Sequence, residues 1–230
     1  YYQAQDGGPL RTGVYKRDAK GKVTSISTEP GQNSAIFSGN FKQLMLTHHS
    51  AATPPTYTLR NDKGKVQKTL QDNAALKQKI DGMNLAKIEF FQFQTQDGVD
   101  LNGIMVKPAD FDANKKYPVI LFQYSGPGSQ QVLDSWYAGN CSAALLERYM
   151  AQEGFVSVIV DGRGTGGRGA EFEKQTYLKL GQLESHDQVE TAIYLSKLPW
   201  VDAKHIGIWG WSFGGFNTLM SMSEGRPVFY

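Results

Sequence analysis

Gly210-Trp211-Ser212-Phe213-Gly214 sets a serine between two glycines in a G-x-S-x-G string. That is the pattern of a nucleophile elbow, in which a sharp strand-to-helix turn lifts a serine hydroxyl into a cleft. The chemistry open to such a serine is attack by Oγ on a carbonyl carbon to give an acyl intermediate. It needs a base to take the hydroxyl proton and donors to hold the charge that develops on the carbonyl oxygen. With 25 glycines in 230 residues the string alone is modest evidence, and its placement is what strengthens it. His205 to Trp209 reads as a strand, and Phe213 to Met222 is small and apolar enough for a buried helix ended by Gly225. Ser212 therefore falls on a strand-turn-helix junction. The glycines follow from sterics, because strand and helix backbones approach so closely there that side chains two residues either side of the serine would clash. The bland alternative is a Gly-rich tight turn carrying an inert serine.

Two further stretches bear on the same chemistry. Gln123-Tyr124-Ser125-Gly126-Pro127-Gly128 follows a strand, and in α/β-hydrolases that loop supplies an oxyanion donor. The usual His-Gly-Gly string is missing, so the Tyr124 hydroxyl is a candidate donor; packing is the competing role of a half-buried tyrosine. Gly162-Arg163-Gly164-Thr165-Gly166-Gly167 fits G-x-G-x-x-G after the strand Phe155 to Val160, the context of a dinucleotide site. Against it, Asp161 puts a carboxylate where pyrophosphate would sit, Arg168 to Gln175 opens no apolar helix, and no strand ending in an acid follows. A Gly-rich loop in which Asp161 and Arg163 pair beside the cleft is the expectation, with no cofactor and no metal. The histidines, His48, His49, His186 and His205, all precede Ser212, whereas the hydrolase order is Ser, then Asp or Glu, then His. Each reads as ordinary, with His186 in a first helical turn and His205 at a strand start. The triad is incomplete as written.

The elements that must position these residues change in character near residue 85. Before it, short apolar or β-branched runs alternate with turn clusters such as Asp18 to Gly21, Glu29-Pro30-Gly31, Ser38-Gly39-Asn40 and Asn61 to Gly64. This predicts an antiparallel meander. Asn73 is placed to cap a short helix over Leu76 and Ile80, ended by Gly82. Ile88 to Gln94 and Leu101 to Lys107 flank Asp97-Gly98, a hairpin signal. From Tyr117 onward, continuous apolar strands alternate with helices: Tyr117 to Tyr124, a helix over Ala143 to Met150, Phe155 to Val160, then a helix introduced by an S-x-x-Q capping box at Ser185 and Gln188. Such alternation predicts a parallel sheet covered on both faces.

Several of these strings, in this order, resemble the dipeptidyl peptidase IV branch of the prolyl oligopeptidase family. They are Gly210 to Gly215 with Ile206 to Trp209, Asp161 to Gly166, Tyr124 to Gln130, Leu180-Gly181, Asp187-Gln188, Trp200-Val201-Asp202, Ser50 to Pro55 and Lys115 to Pro118. The resemblance covers nearly the whole chain. It implies a β-propeller followed by an α/β-hydrolase domain: residues 1–84 would be the last propeller blade and connector, and 85–230 the first half of a mostly parallel, doubly wound hydrolase domain. It implies a serine exopeptidase that releases N-terminal dipeptides with proline or alanine second, through an acyl-enzyme on Ser212. The Phe213 N–H and the Tyr124 hydroxyl would form the oxyanion hole, and Phe213 and Trp211 would contact the substrate. The branch usually has tyrosine at the Phe213 position, and phenylalanine supplies no hydroxyl there. The family's catalytic Asp and His fall outside these 230 residues, and so do the propeller glutamates that hold a substrate amino terminus.

Composition removes other classes. Apolar residues at 40% and charged residues at 20% fit a globular chain. A net charge of +2 without a basic run gives no case for nucleic acid. No apolar stretch approaches the roughly 18 residues of a membrane span. The single cysteine, Cys141, excludes an intrachain disulfide and is expected as a small packing residue. Tyr1 to Gln5 has no signal-peptide character and there is no initiator Met, so the chain reads as an internal piece, inactive by itself. Peptides are the expected partners, and the resemblance allows a homodimer. The compartment is not legible; the resemblance alone leans to the periplasm or cell surface. Competing readings are a prolyl tripeptidyl peptidase, an acylaminoacyl peptidase or an esterase of the same fold, and a non-enzymatic binding module.

Overall fold

A computed structural model describes residues 1–230, which divide into two compact units: Tyr1–Asn84 with Leu133–Ala138, and Leu85–Val132 with Gly139–Tyr230. The first unit is a seven-stranded sheet of β1 (Tyr2–Gln5), β2 (Thr12–Arg17), β3 (Val23–Ser25), β4 (Gln32–Phe37), β5 (Gln43–Ser50), β6 (Thr53–Asn61) and β7 (Val66–Gln71). Their order is β1-β2-β4-β5-β6-β7, with β3 on β2. Pairing is antiparallel except where β2 meets β4 through Thr12 and Gln32. The turn clusters do what their chemistry dictates: Asn61 Oδ1 accepts from Lys63 N and Lys65 N at 3.1 and 3.0 Å, closing the β6–β7 hairpin. Val14, Ile26, Leu44 and Leu46 make the core. Helix α1 (Ala74–Asp81) follows, but Asn73 does not cap it. Its amide donates to Pro55 O, and the carboxylate of Asp72 instead accepts from Ala74 N at 3.0 Å.

The second unit holds β8 (Ile88–Gln94), β9 (Asp100–Val106), β10 (Tyr117–Phe122), β11 (Val156–Asp161) and β12 (Val201–Trp209) in the order β12-β10-β11-β9-β8. It also holds α2 (Leu145–Gln152), α3 (Ala170–Glu173), α4 (Gln182–Ser196) and α5 (Phe213–Met222). β12, β10 and β11 run parallel, while β9 and β8 join antiparallel through the hairpin at Thr95–Gly98, so the sheet is mixed. Every residue of β11 is buried, Ser157 and Asp161 along with its valines and isoleucine, as in a strand whose two faces are both covered. Phe122 of β10 and Trp209 of β12 are register partners. Chain leaving the carboxyl ends of these two strands therefore emerges side by side, where open α/β sheets build their sites.

Further expectations are corrected. α4 starts before Ser185: Gly181 (φ +86°) precedes it, and the Glu184 carboxylate accepts from Gly181 N at 2.9 Å. Ser185 lies inside the helix, and His186 with it, past the first turn. His205 sits within β12 rather than at its start. Cys141 is exposed rather than packed.

Candidate active site

Ser212 stands between β12 and α5 with φ 55° and ψ −116°, a conformation that costs a residue with a Cβ on the order of 1–3 kcal/mol. The strain is imposed by close approach. A Cβ on Gly210 would overlap Gln123 O and lie 2.6 Å from Gly214 C; one on Gly214 would overlap the same carbonyl and lie 3.1 Å from Tyr124 Cα. The end of β10 thus runs through the notch that the two glycines leave. Ser212 is left exposed, and the turn closes through Gly214 N donating to Trp211 O at 2.8 Å and Phe216 N donating to Ser212 O at 3.1 Å. As the first residue of α5, Phe213 has an N–H for which the helix offers no acceptor.

Tyr124 and Phe213 are brought together, their ring centroids 6.3 Å apart, and Phe213 packs edge-on against Phe216 at 5.4 Å. Trp211 is 78% exposed beside Ser212. Ser125 takes a positive φ of 59° and accepts from Gln188 Nε2 at 3.2 Å, and the same amide donates to Val160 O at 3.1 Å. Gln188, fully buried in α4, thereby holds the residue after Tyr124 to the end of β11.

The Gly-rich loop is a structural strap, and the pairing expected of it is not the one found. Arg163 pairs with Asp187 and Asp97, not with Asp161. Its Nη2 lies 2.6 Å from Asp187 Oδ1 and its Nη1 2.8 Å from Asp97 Oδ2. Burial opposes the charge on Arg163, but the two carboxylates win and raise its pKa. For Asp97, burial pushes upward while Thr95 and Arg163 hydrogen bonds pull harder, and its pKa falls to about 2. Asp161 instead accepts from Gln131 N at 3.0 Å and Val132 N at 2.7 Å. With no cation beside it, burial outweighs these two bonds and pushes its pKa up to about 6. Gly128 N donates to Gly164 O at 2.9 Å and Gly166 N to Ser129 O at 2.8 Å, which ties the loop after Tyr124 to this strap. Asp97, Asp187 and Gln188 were missed as partners because their contacts are long-range; Asp97 was visible only as half of a turn signal.

His186 faces Arg226 Nη2 at 3.1 Å through Nδ1 and Asp97 at 3.5 Å through Nε2, and His205 Nδ1 meets Asp202 at 2.8 Å. Neither hydrogen-bonds Ser212. No group of three or more His, Cys, Asp or Glu side chains is gathered to hold a metal ion. What the arrangement offers is an exposed serine hydroxyl on a strained turn, an unclaimed helix N–H beside it and a tyrosine at the neighbouring strand end. These are the parts of an acyl-transfer site that still needs a base.

The prolyl oligopeptidase family matches residues 143–230. The chain is 37% identical over 199 residues to "Probable dipeptidyl peptidase 4" of Aspergillus flavus, covering 85% of this chain and 25% of that protein. It is 36% identical over 203 residues to dipeptidyl peptidase 4 of Arthroderma otae, covering 87% of this chain and 26% of that protein. The crystal structure of Porphyromonas gingivalis dipeptidyl peptidase 4 superposes with a TM-score of 0.93 at 46% identity, over 99% of this chain and 32% of that one. The chain thus spans between a quarter and a third of the length of these relatives.

Proposed function

Because the chain belongs to the prolyl oligopeptidase family and its fold is that of a β-propeller end together with part of an α/β-hydrolase, we propose that it serves a dipeptidyl peptidase whose nucleophile is Ser212. The observation that carries this reading is the strained, exposed turn at Ser212, φ 55° and ψ −116°, opposite Tyr124. A backbone held there against its own preference is what a nucleophile requires and what an inert Gly-rich turn does not.

In this reading Ser212 Oγ attacks the carbonyl carbon of the second residue of a peptide. The hydroxyl proton passes to a histidine contributed from outside these residues, the C–N bond breaks, and the leaving amine takes that proton. The acyl-enzyme is then hydrolysed by water. Charge on the tetrahedral oxygen is held by the Phe213 N–H and the Tyr124 hydroxyl. The Phe213 ring, fixed between Tyr124 and Phe216, walls the pocket for a proline or alanine side chain, and exposed Trp211 contacts the substrate. Dipeptide release is favoured over tripeptide release, N-acyl amino acid release or ester cleavage by the names of the relatives.

The test is Ser212→Ala in the active enzyme containing this chain, with fluorophosphonate labelling and product masses. Loss of both labelling and turnover, with release of Xaa-Pro from a defined peptide, supports the reading. Labelling at another residue removes Ser212 from the role; a tripeptide product keeps the nucleophile and changes the substrate class.

A further inference from the structure

We propose that Gln123 is a positioning residue, the clamp that sets Tyr124 and the Ser212 turn at a fixed separation; the inference rests on the catalytic reading above. Gln123 is the last residue before Tyr124, and its side chain is fully buried. A buried primary amide is costly unless its donors and acceptor are used, and here both ends are used on one helix. Nε2 donates to Gly214 O and to Thr218 Oγ1 at 3.0 Å, and Oε1 accepts from Asn217 Nδ2 at 3.0 Å. Asn217 is itself fully buried. The backbone of Gln123 is committed as well: its N–H donates to Trp209 O at 3.1 Å, and its carbonyl fills the notch beside Gly210 and Gly214.

One residue thus bonds the strand before Ser212 through its backbone and the helix after Ser212 through its side chain. The two groups proposed to hold the oxyanion, the Tyr124 hydroxyl and the Phe213 N–H, lie on opposite sides of this clamp, each one residue from a bonded atom. Leu121, two residues earlier on the same face of β10, is an ordinary core residue, so packing alone accounts for an aliphatic side chain here and not for a glutamine. The polar pair instead specifies register between β10 and α5 in a way that apolar contact does not. Gly214 O also accepts from Thr218 Oγ1 at 2.8 Å, so Gln123, Thr218 and the first turn of α5 form one closed set.

The experiment compares Gln123→Met with the double variant Gln123→Met/Asn217→Leu in the active enzyme. The single variant strands the Asn217 amide and lowers the melting temperature. The double variant removes both amides and regains most of that stability, because replacing both partners of a buried hydrogen bond by apolar groups is close to neutral. The clamp predicts that both variants, assayed well below their melting temperatures, keep KM within about twofold and lose kcat by about 10- to 100-fold, the cost of misplacing reacting groups by a fraction of an ångström to 1 Å. A folded double variant with wild-type kcat, or a kcat loss that vanishes once melting is reversed, overturns the proposal. Should neither variant fold, Thr218→Val decides: a kcat lowered about threefold at unchanged KM supports the clamp, and wild-type kcat removes it. Ser212→Ala runs in parallel. If that variant turns over normally, the catalytic reading fails; if it is dead while the Gln123 variants are normal, only the clamp fails.

Discussion

Tyr124 stands two residues past the end of β10 with its ring half-buried against Phe213, which leaves the hydroxyl as the part that chemistry can use. If the hydroxyl is needed only where charge develops, Tyr124→Phe lowers kcat by about 10² to 10³ with little change in KM, the usual loss of one oxyanion donor. Steady-state kinetics check this, and wild-type turnover would assign Tyr124 to packing. Asp161 permits a prediction of a different kind. Its pKa of about 6 is above the 3.8 of a solvated aspartate, so the native state favours the protonated form. The stability this contributes is complete below about pH 4 and is lost as pH rises through 6. Against Asp161→Asn, which keeps an acceptor for Gln131 and Val132 but does not titrate, the wild type should lose up to a few kcal/mol between those limits and stay level above pH 7. Thermal unfolding of both proteins from pH 4 to 8 measures it, and a pH-independent difference contradicts it. The turn at Ser212 and the placement of Tyr124 just past β10 were legible in the sequence because each is set by a local string. Gln123, Asn217 and Gln188 were not, because their partners lie 91, 94 and 63 residues away and a buried amide leaves no periodic signature.

Elements show the same division between local and distant causes. The β8–β9 hairpin and α5 match their sequence signals because turn chemistry and apolar content decide them within a few residues. The start of α4 did not, since Gly181 and Glu184 outcompete Ser185 and Gln188 as the capping pair once Gln188 is engaged elsewhere. The elbow helix carries a sharp internal contrast. A Cβ at Gly214 collides with the backbone of Gln123 and approaches Tyr124 Cα, whereas one at Gly215 meets nothing nearer than Gly210 O at 3.4 Å. Gly214→Ala should therefore cost about 3 kcal/mol or more and abolish turnover, because backbone has to move to admit it. Gly215→Ala should be neutral or stabilising by up to about 1 kcal/mol, since alanine is the better helix former. Chemical denaturation of the pair decides it, and equal effects would show that the notch is looser than the close approach to Gln123 implies.

At the scale of the whole molecule, the question is whether the 230 residues act by themselves. His48 and His49 belong to the first unit, where the Nδ1 of His49 lies 3.2 Å from Trp136 N; His186 is held between Asp97 and Arg226, and His205 by Asp202. None hydrogen-bonds Ser212. A serine hydroxyl without an adjacent base is a weak nucleophile, and oxyanion donors alone leave only about 10³ to 10⁴ over the uncatalysed rate, even with a complete binding site. The purified chain should thus show no measurable hydrolysis of Gly-Pro or Ala-Pro chromogenic substrates. It should also associate. β12 pairs with no strand but β10; on its outer edge Ile206 O accepts from Tyr230 N at 3.1 Å, no strand covers the remainder, and Leu219 and Met222 of α5 are exposed at 68% and 61%. Light scattering should therefore show mass rising with concentration, while a chromogenic assay at the same concentrations stays at background. Turnover by mass-verified protein that is lost on Ser212→Ala would refute the argument, and would mean that one of the four histidines reaches Ser212 from a position its present hydrogen bonds do not allow.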